Sequence, residues 1–474
     1  MTGRPHLRRT KLVCTIGPAS VGRAAALVAA GMDVARLNFS HGTAAARTRA
    51  AVVVRAAASE ADRPVAILAD LAGPKIRLGP LQGGEQTLVA GRQYALWAHG
   101  GPLAGDATGA RVTYPRLGRS LRPGDRVLLA DGAAELRVVA TRGDAVETEI
   151  VLGGTIRSRA GVSVPSERLA GTGLTRKDRA DLGQVAAIGA QYVAQSFVRS
   201  ADDVRELRLL LGPDGPPIVA KIETRSAIDA FDAILDVADA VMIARGDMGV
   251  ELPYEEVPLI QKHLVRRALD RGRPSIVATQ MLESMIASPR PTRAEASDVA
   301  NAVFDGADAI MLSGETAIGR YPVLAAESAV RIARLCEERG GSLLPDGAPV
   351  PAGSDAGAIA YAAVALARAE PDISGIACYT RTGATARLLG SLRPPVPVFA
   401  FSPDPEVVAR LALVRGVVPR TCLPPSDTAS RLGLMAWLLR EAEAIPAGTA
   451  VALVASSAAP GSGPNLLEVH RLPA

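Results

Sequence analysis

ADLAGPKIRLG, residues Ala69–Gly79, opens as the end of a buried strand and finishes as something else. Its first two residues close the apolar run PVAILAD from Pro64, which has the length and composition of a strand covered on both faces. A Gly-Pro turn then intervenes, and Lys75 and Arg77 follow at once. Two similar runs lie upstream, KLVCTIG from Lys11 and VARLNFSHG from Val34, each leading into an Ala/Leu-rich helical pattern. Downstream come YVAQSFV from Tyr192, PIVAKIE from Pro217, AVMIARGD from Ala240, PSIVATQM from Pro274 and AIMLSGE from Ala309. Most neighbours lie one strand-plus-helix unit apart, which predicts a parallel sheet with crossover helices. Eight such units predict an α/β fold of the (β/α)8 TIM-barrel type.

The quoted stretch is where that rhythm breaks. From Leu78 to about Gly161 there are Gly-rich turns and short alternating runs such as QTLVAGRQYALWA and GDRVLLADG. These predict a small all-β domain, residues 79–161, inserted after the third barrel strand, with the barrel formed by 1–78 and 162–335. An insertion there sits at the mouth where barrel active sites are built, so it is expected to act as a lid. After Ala333, LCEERGGSLLPDGAPVPAGSDAG reads as a Pro/Gly/Ser-rich linker. Beyond it GIACYT, VPVFAF, GVVPRTC and TAVALVASS alternate with Ala-rich helices, predicting a C-terminal doubly wound α/β domain over 350–474.

Composition narrows the function classes. Aromatic residues make up 3%, too few for the stacking platforms of a single-strand nucleic-acid binder. The formal charge is +5, with basic residues scattered rather than blocked, so no polybasic patch is expected. Cys14, Cys336, Cys378 and Cys422 are far apart, which suggests neither a zinc site nor a disulfide framework. No secretory signal and no membrane-length apolar run is visible, and a cytoplasmic protein is expected. Of 53 Lys plus Arg, five are Lys: Lys11, Lys75, Lys177, Lys221 and Lys262. A lysine retained just past a strand end in so Arg-rich a chain asks for a reason.

In a barrel, polar residues at the C-terminal ends of strands are the catalytic candidates. Here those are Arg36, Asn38 and Ser40, Asp70 with Lys75 and Arg77, Gln195 and Ser196, Lys221 and Glu223, Arg245 and Asp247, Thr279, and Ser313 with Glu315. Strand alternation is expected to place Lys221 with Glu223 on one side, and likewise Asn38 with Ser40 and Arg245 with Asp247. Glu223 and Asp247, on neighbouring strands, offer hard oxygen donors for a magnesium ion. Lys221 beside them suits the stabilisation of a developing enolate oxygen. Arg36 and Arg77 offer forked donors for phosphate, and Gly246 permits close backbone approach to an anion.

The stretches TKLVCTIGPAS, RLNFSHG, KIET, ARGDMGVELP, ATQMLESMI and PTRAEASDVANAVFDGADAIMLSGETAIGRYP resemble the motifs of the pyruvate kinase family, in the family's order. The resemblance implies a barrel with an inserted lid and a C-terminal α/β domain. It implies transfer of phosphoryl between phosphoenolpyruvate and ADP, giving pyruvate and ATP, with Mg2+ or Mn2+ as cofactor. By the same resemblance Lys221 stabilises the enolate, Glu223 and Asp247 ligate the metal, and Arg36 contacts phosphate. Gly246, Asp247 and Thr279 bind substrate, and Thr279 or a water near Ser313 protonates the enolate. Asn38, His41 and Arg77 face the nucleotide. Asn38, Ser40, Asp70 and the carbonyl of Leu71 surround a monovalent cation, usually potassium. Family members are usually homotetramers, with sugar phosphates or AMP as effectors in the C-terminal domain; YTRTGATA from Tyr379 and SSAAPGSGPN from Ser456 are the expected effector loops.

Departures from the family pattern matter as well. Where the family usually shows Asp-Thr-Lys-Gly-Pro-Glu, this chain has Asp70-Leu71-Ala72-Gly73-Pro74-Lys75, and Ala130 precedes Asp131 where two acidic residues are common. Members with Lys at the position of Lys75 generally need no potassium. The expectation is therefore that the Lys75 ammonium reaches the cavity of Asn38, Ser40 and Asp70 and replaces the ion. Two alternatives are a magnesium-dependent lyase or aldolase acting on a pyruvate enolate, and an inactive regulatory relative. The lid and the long PTRAEASD stretch favour the kinase over the first, and intact Lys221, Glu223, Asp247 and Thr279 favour it over the second.

Overall fold

The computed structural model describes residues 8–130, 132–168, 173–350, 354–424, 428–441, 445, 448–456 and 463–471. Eight parallel strands close a barrel: Lys11–Thr15, Val34–Asn38, Ala66–Asp70, Tyr192–Gln195, Ile218–Ile222, Ala240–Ala244, Ser275–Ala278 and Ala309–Leu312. They are the eight runs picked out by sequence. Their inward residues, among them Val13, Leu68, Val219, Met242, Ile276 and Met311, pack into one buried cluster that fills the barrel. Two residues of the C-terminal domain, Ala412 and Leu413, belong to the same cluster and plug the barrel from the face opposite the site. Helix starts follow local rules. Thr175 and Thr292 each open a helix with a capping box, the side chain accepting from the backbone three residues on.

The inserted segment forms a seven-stranded sheet and a two-stranded one around its own apolar core. Its sheet begins earlier and ends later than expected. Ile76–Arg77 pairs antiparallel with Gly161–Ser163, so both chain crossings are already lid strands. On the outgoing side the connection from the barrel is short, the turn around Gly73 between Asp70 and Ile76.

The supposed linker is also shorter than expected. The helix Pro322–Arg339 runs straight through LCEER, because the Glu337 carboxylate accepts from the backbone N–H groups of Arg9 and Thr10 at 2.7 Å each and ties that last turn to the barrel floor. In the C-terminal domain four parallel strands, Ile373–Tyr379, Val398–Ser402, Val417–Thr421 and Ala450–Ala455, carry a fifth, Leu466–Arg471, antiparallel on the edge. That edge strand, LLEVHR, is largely exposed and carries three charged or titratable residues, which hid it from a search for apolar runs.

Candidate active site

Four side chains at or just past strand ends make a continuous chain of opposite charges. Arg36 donates through Nε to Asp70 Oδ2 at 2.6 Å. Asp70 Oδ1 lies 3.4 Å from the Lys221 ammonium, and Lys221 lies 2.8 Å from Glu223 Oε1. The third donor direction of Lys221 goes to Ser196 Oγ at 2.7 Å. Ser196 in turn donates to the Leu71 carbonyl at 2.8 Å. Glu223 Oε2 accepts from the Phe197 N–H at 2.7 Å. Asp70, Lys221 and Glu223 are all buried. Burial alone would lower the Lys221 pKa, but the Asp70 and Glu223 carboxylates hold it well above the ordinary lysine range, so it remains a fixed cation. The Glu223 carboxyl is pushed up, first by burial and then by Asp247, against the pull of Lys221.

Asp247 lines the same pocket as Glu223 and is one-third exposed, and its far side meets Lys75, whose Nζ is 3.6 Å from Oδ1. The order of charges along the mouth is thus Arg36, Asp70, Lys221, Glu223, Asp247, Lys75. It alternates everywhere except between Glu223 and Asp247, where two anions are neighbours. Glu223 Oε1 also lacks a well-aligned hydrogen bond among the described residues. Two neighbouring carboxylates in one pocket, one of them with an oxygen that lacks a well-aligned hydrogen bond among the described residues, offer the hard oxygen donors that suit Mg2+, which takes its other ligands from water and substrate oxygens.

Thr279 is held in the left-handed region, with φ +72, a rare conformation for a β-branched residue. Its hydroxyl accepts from the Gly246 N–H at 2.7 Å and donates to the Ala278 carbonyl at 2.5 Å. Its carbonyl accepts from Arg245 at 2.7 Å. A Cβ on Gly246 would stand 3.3 Å from Thr279 Oγ, so any larger residue there would press on that hydroxyl. Ser313 donates its backbone N–H to Glu315 at 2.7 Å, and the same buried carboxylate accepts from the Leu282 N–H. His41 is exposed; partial burial and then Arg77, Arg36 and Lys75 lower its pKa. Arg77 stands on the lid's first strand and donates to the Arg159 carbonyl at 3.2 Å. Asn38 Oδ1 accepts from the Ser40 N–H at 2.9 Å.

Two expectations are corrected here. Arg245 and Asp247 do not share a side: the strand stops at Ala244 and Arg245–Glu251 is helical, so Arg245 turns away to pair with Asp298 at 2.6 Å. Nor does Lys75 reach Asp70. The oxygens of Asp70 face Arg36, Lys221 and Ser196, whereas Asp247 is partly exposed, and the ammonium lies beside Asp247 instead. Ser196 stood among the strand-end residues without a role. Asp178 and Asp203, described below, carried no signal at all because both lie in helices away from any strand end. Asp131 lies outside the described residues.

A barrel with a charged mouth, roofed by Tyr114, Val162 and Ser163 of an inserted β domain and floored by a separate α/β domain, is the architecture of an enzyme whose site takes a small, charged substrate at the barrel's C-terminal face. The family profile for the pyruvate kinase barrel domain matches residues 7–326, and that for the pyruvate kinase alpha/beta domain matches 357–470. The pyruvate kinase of Mycobacterium tuberculosis is 42% identical over 471 residues, covering 98% of each chain. That of Corynebacterium glutamicum is 40% identical over 470 residues, again covering 98% of each chain. A crystal structure of a pyruvate kinase from Cryptosporidium parvum superposes with a TM-score of 0.88 at 33% identity, covering 98% of this chain and 96% of that one. The chain belongs to the pyruvate kinase family.

Proposed function

We infer that this mouth transfers the phosphoryl group of phosphoenolpyruvate to ADP, giving pyruvate and ATP. The observation that carries the assignment of its residues is the one break in charge alternation, between Glu223 and Asp247. A Mg2+ or Mn2+ ion bound there supplies neutralisation for the transferring group and the enolate oxygen. Lys221, buried and held on three sides, adds a positive charge that needs no reorganisation as the enolate develops. Arg36, fixed by Asp70 and Thr15, has donors left over for the substrate phosphate. Gly246 and Thr279 receive the substrate carboxylate. The enolate is protonated by the Thr279 hydroxyl or by a water beside Ser313. Asn38, His41 and Arg77 border the nucleotide, and the lid excludes water from the transferring group.

Lys75 makes added potassium unnecessary. It supplies a tethered positive charge at the mouth from beside Asp247, not from within the cavity of Asn38, Ser40, Asp70 and Leu71. The C-terminal domain takes a phosphorylated effector, a sugar phosphate or AMP, at the turn after Tyr379. There Thr380 Oγ accepts from the Gly383 N–H at 3.0 Å and Arg431 stacks over the Tyr379 ring. Of the second effector loop, residues 457–462 lie outside the described residues. The working assembly is a homotetramer in the cytoplasm; among the described residues no helix is long and apolar enough to cross a membrane. One assay tests the reading: ATP formation from phosphoenolpyruvate and ADP, with magnesium and in potassium-free buffer. Turnover of phosphoenolpyruvate without ADP, or none at all, overturns it.

A further inference from the structure

Gly73 lies on the connection that leaves the barrel for the lid, and Gly173 lies shortly before the barrel helix Arg176–Ala187 that follows the lid; each donates its backbone N–H to a buried carboxylate on a barrel helix. Gly73 N–H donates to Asp178 Oδ1 at 3.1 Å, and Asp178 is fully buried in the first turn of Arg176–Ala187. Gly173 N–H donates to Asp203 Oδ1 at 3.1 Å, and Asp203 is buried in the first turn of Ala201–Leu211. The outgoing turn is pinned at more than one point. The Leu71 carbonyl accepts from Ser196, the Lys75 N–H donates to the Gly73 carbonyl at 2.9 Å, and Gly73 has φ +67. A Cβ on Gly73 would lie 2.8 Å from both Ser196 and Phe197, so the turn is seated directly on the loop that holds Lys221 and Glu223. Asp203 grips the other end of that loop, accepting from the Arg199 backbone and guanidinium.

We propose that Asp178 and Asp203 are paired positioning residues, which fix where the two lid connections leave the barrel and thereby set the place of Lys75 and Arg77 at the site. The clause on Lys75 rests on the role given to that residue above. Neither carboxylate touches the reacting groups. Asp178 acts through the Gly73 turn, two residues before Lys75 and four before Arg77. Asp203 acts through Gly173 and through the Ser196–Arg199 loop. Contacts carried by the outgoing lid strand depend on Asp178, whereas substrate contacts built on the barrel strands do not; Asp203 also bears on the centre, through the loop that holds Lys221 and Glu223.

The test separates positioning from helix capping, since Asp178 also accepts from the Thr175 N–H and hydroxyl. D178A removes the acceptor for Gly73, D178N keeps an acceptor oxygen, and T175A weakens the cap alone. D178A is expected to lower kcat about ten- to a hundredfold. It is also expected to raise KM for ADP and leave KM for phosphoenolpyruvate near the parent value. Amide exchange of the segment around Gly73 should speed up in the same variant. D178N should restore the kinetics, and T175A should lose thermal stability without losing kcat. Identical kinetics in D178A and T175A, or unchanged exchange around Gly73 in D178A, overturns the proposal. Should D178A not fold, D203A is read in the same way at the segment containing Gly173, with the same refuting result. K75A alone separates the two inferences: if it is harmless while D178A is impaired, the role of Lys75 fails and the hinge anchors stand.

Discussion

Lys221→Met removes an ammonium and keeps most of the stem's volume. In the parent, that ammonium faces Ser196 at 2.7 Å, Glu223 at 2.8 Å and Asp70 at 3.4 Å, in a site closed to solvent on the strand side. Loss of one preorganised donor of this kind costs ~10²–10³ in kcat, or about 2.7–4 kcal/mol of transition-state stabilisation. The substitution also acts on the fold. Asp70 keeps Arg36 at 2.6 Å, but Glu223 is left with only the Phe197 N–H at 2.7 Å among the described contacts. Breaking a buried pair by removing one partner costs about 3–5 kcal/mol, and here the cost falls on Glu223. A divalent ion between Glu223 and Asp247 would relieve it. The expected outcome is therefore double: kcat falls at least ~10²-fold, and added MgCl2 raises the melting temperature of K221M more than that of the parent. A coupled assay and thermal unfolding with and without magnesium read both. A folded K221M with near-parental kcat would refute the role of the ammonium. An equal magnesium effect on the two proteins would refute the placing of the ion beside Glu223.

Glu223→Gln keeps the shape and removes one charge of the metal pair, so the magnesium concentration for half-activity should rise; an unchanged titration would put the ion elsewhere. Lys75→Glu replaces the cation 3.6 Å from Asp247 by an anion. The parent should work fully in tetramethylammonium buffer, and K75E should lose activity and regain part of it with potassium; strong potassium activation of the parent would sink the idea. At the barrel floor, burial pushes the Lys11 pKa down to about 8, against the attraction of Asp33, while its Nζ donates to the Val417 carbonyl at 2.7 Å. A lysine whose folded pKa lies below its unfolded value of 10.5 binds fewer protons when folded between those two values, so its penalty fades and stability rises as pH climbs from 8 to 10.5. Melting temperatures from pH 7 to 10 should show that rise in the parent and not in K11M; parallel curves would contradict it.

The barrel strands were readable because each is a short apolar run that ends on a polar residue or is followed at once by one, and the eight runs are the eight strands. What failed did so where the local period changed. ARGDMGVE continues a strand into a Gly-Asp pair that marks a break, and the chain becomes helical at Arg245, so the two-residue alternation drawn through Asp247 lapses there. LCEER reads as linker because it runs directly into the Gly/Ser/Pro-rich GGSLLPDGAP, although its Leu, Glu and Arg favour helix, and its anchor, the backbone of Arg9 and Thr10, is more than three hundred residues away in sequence. Lys75 was readable as unusual but not as a neighbour of Asp247. Which carboxylate an ammonium meets depends on which oxygens are already satisfied, and that is a tertiary fact. Asp178 and Asp203 could not be found by a search confined to strand ends.

The arrangement separates what must be rigid from what must move. Arg36, Asp70, Lys221 and Glu223 stand at or just past the ends of buried strands, and the contacts that orient them come from other strand ends or from the loop after Gln195. Electrostatic stabilisation of this kind works only if the charges are in place before the substrate's charge develops, because reorganisation would return the gain. The nucleotide, by contrast, would enter and leave beneath a roof, and of the groups proposed to meet it Arg77 stands on the lid, which leaves the barrel through a short turn, while Asn38 and His41 stand on the barrel. A roof free to move and a centre that must not move conflict wherever one segment serves both, and residues 71–75 are that segment. Leu71 is bonded into the centre through Ser196, while Lys75 travels with the first lid strand. A buried carboxylate holding the peptide between them lets the chain flex beyond Gly73 without transmitting the motion to Ser196 and Lys221.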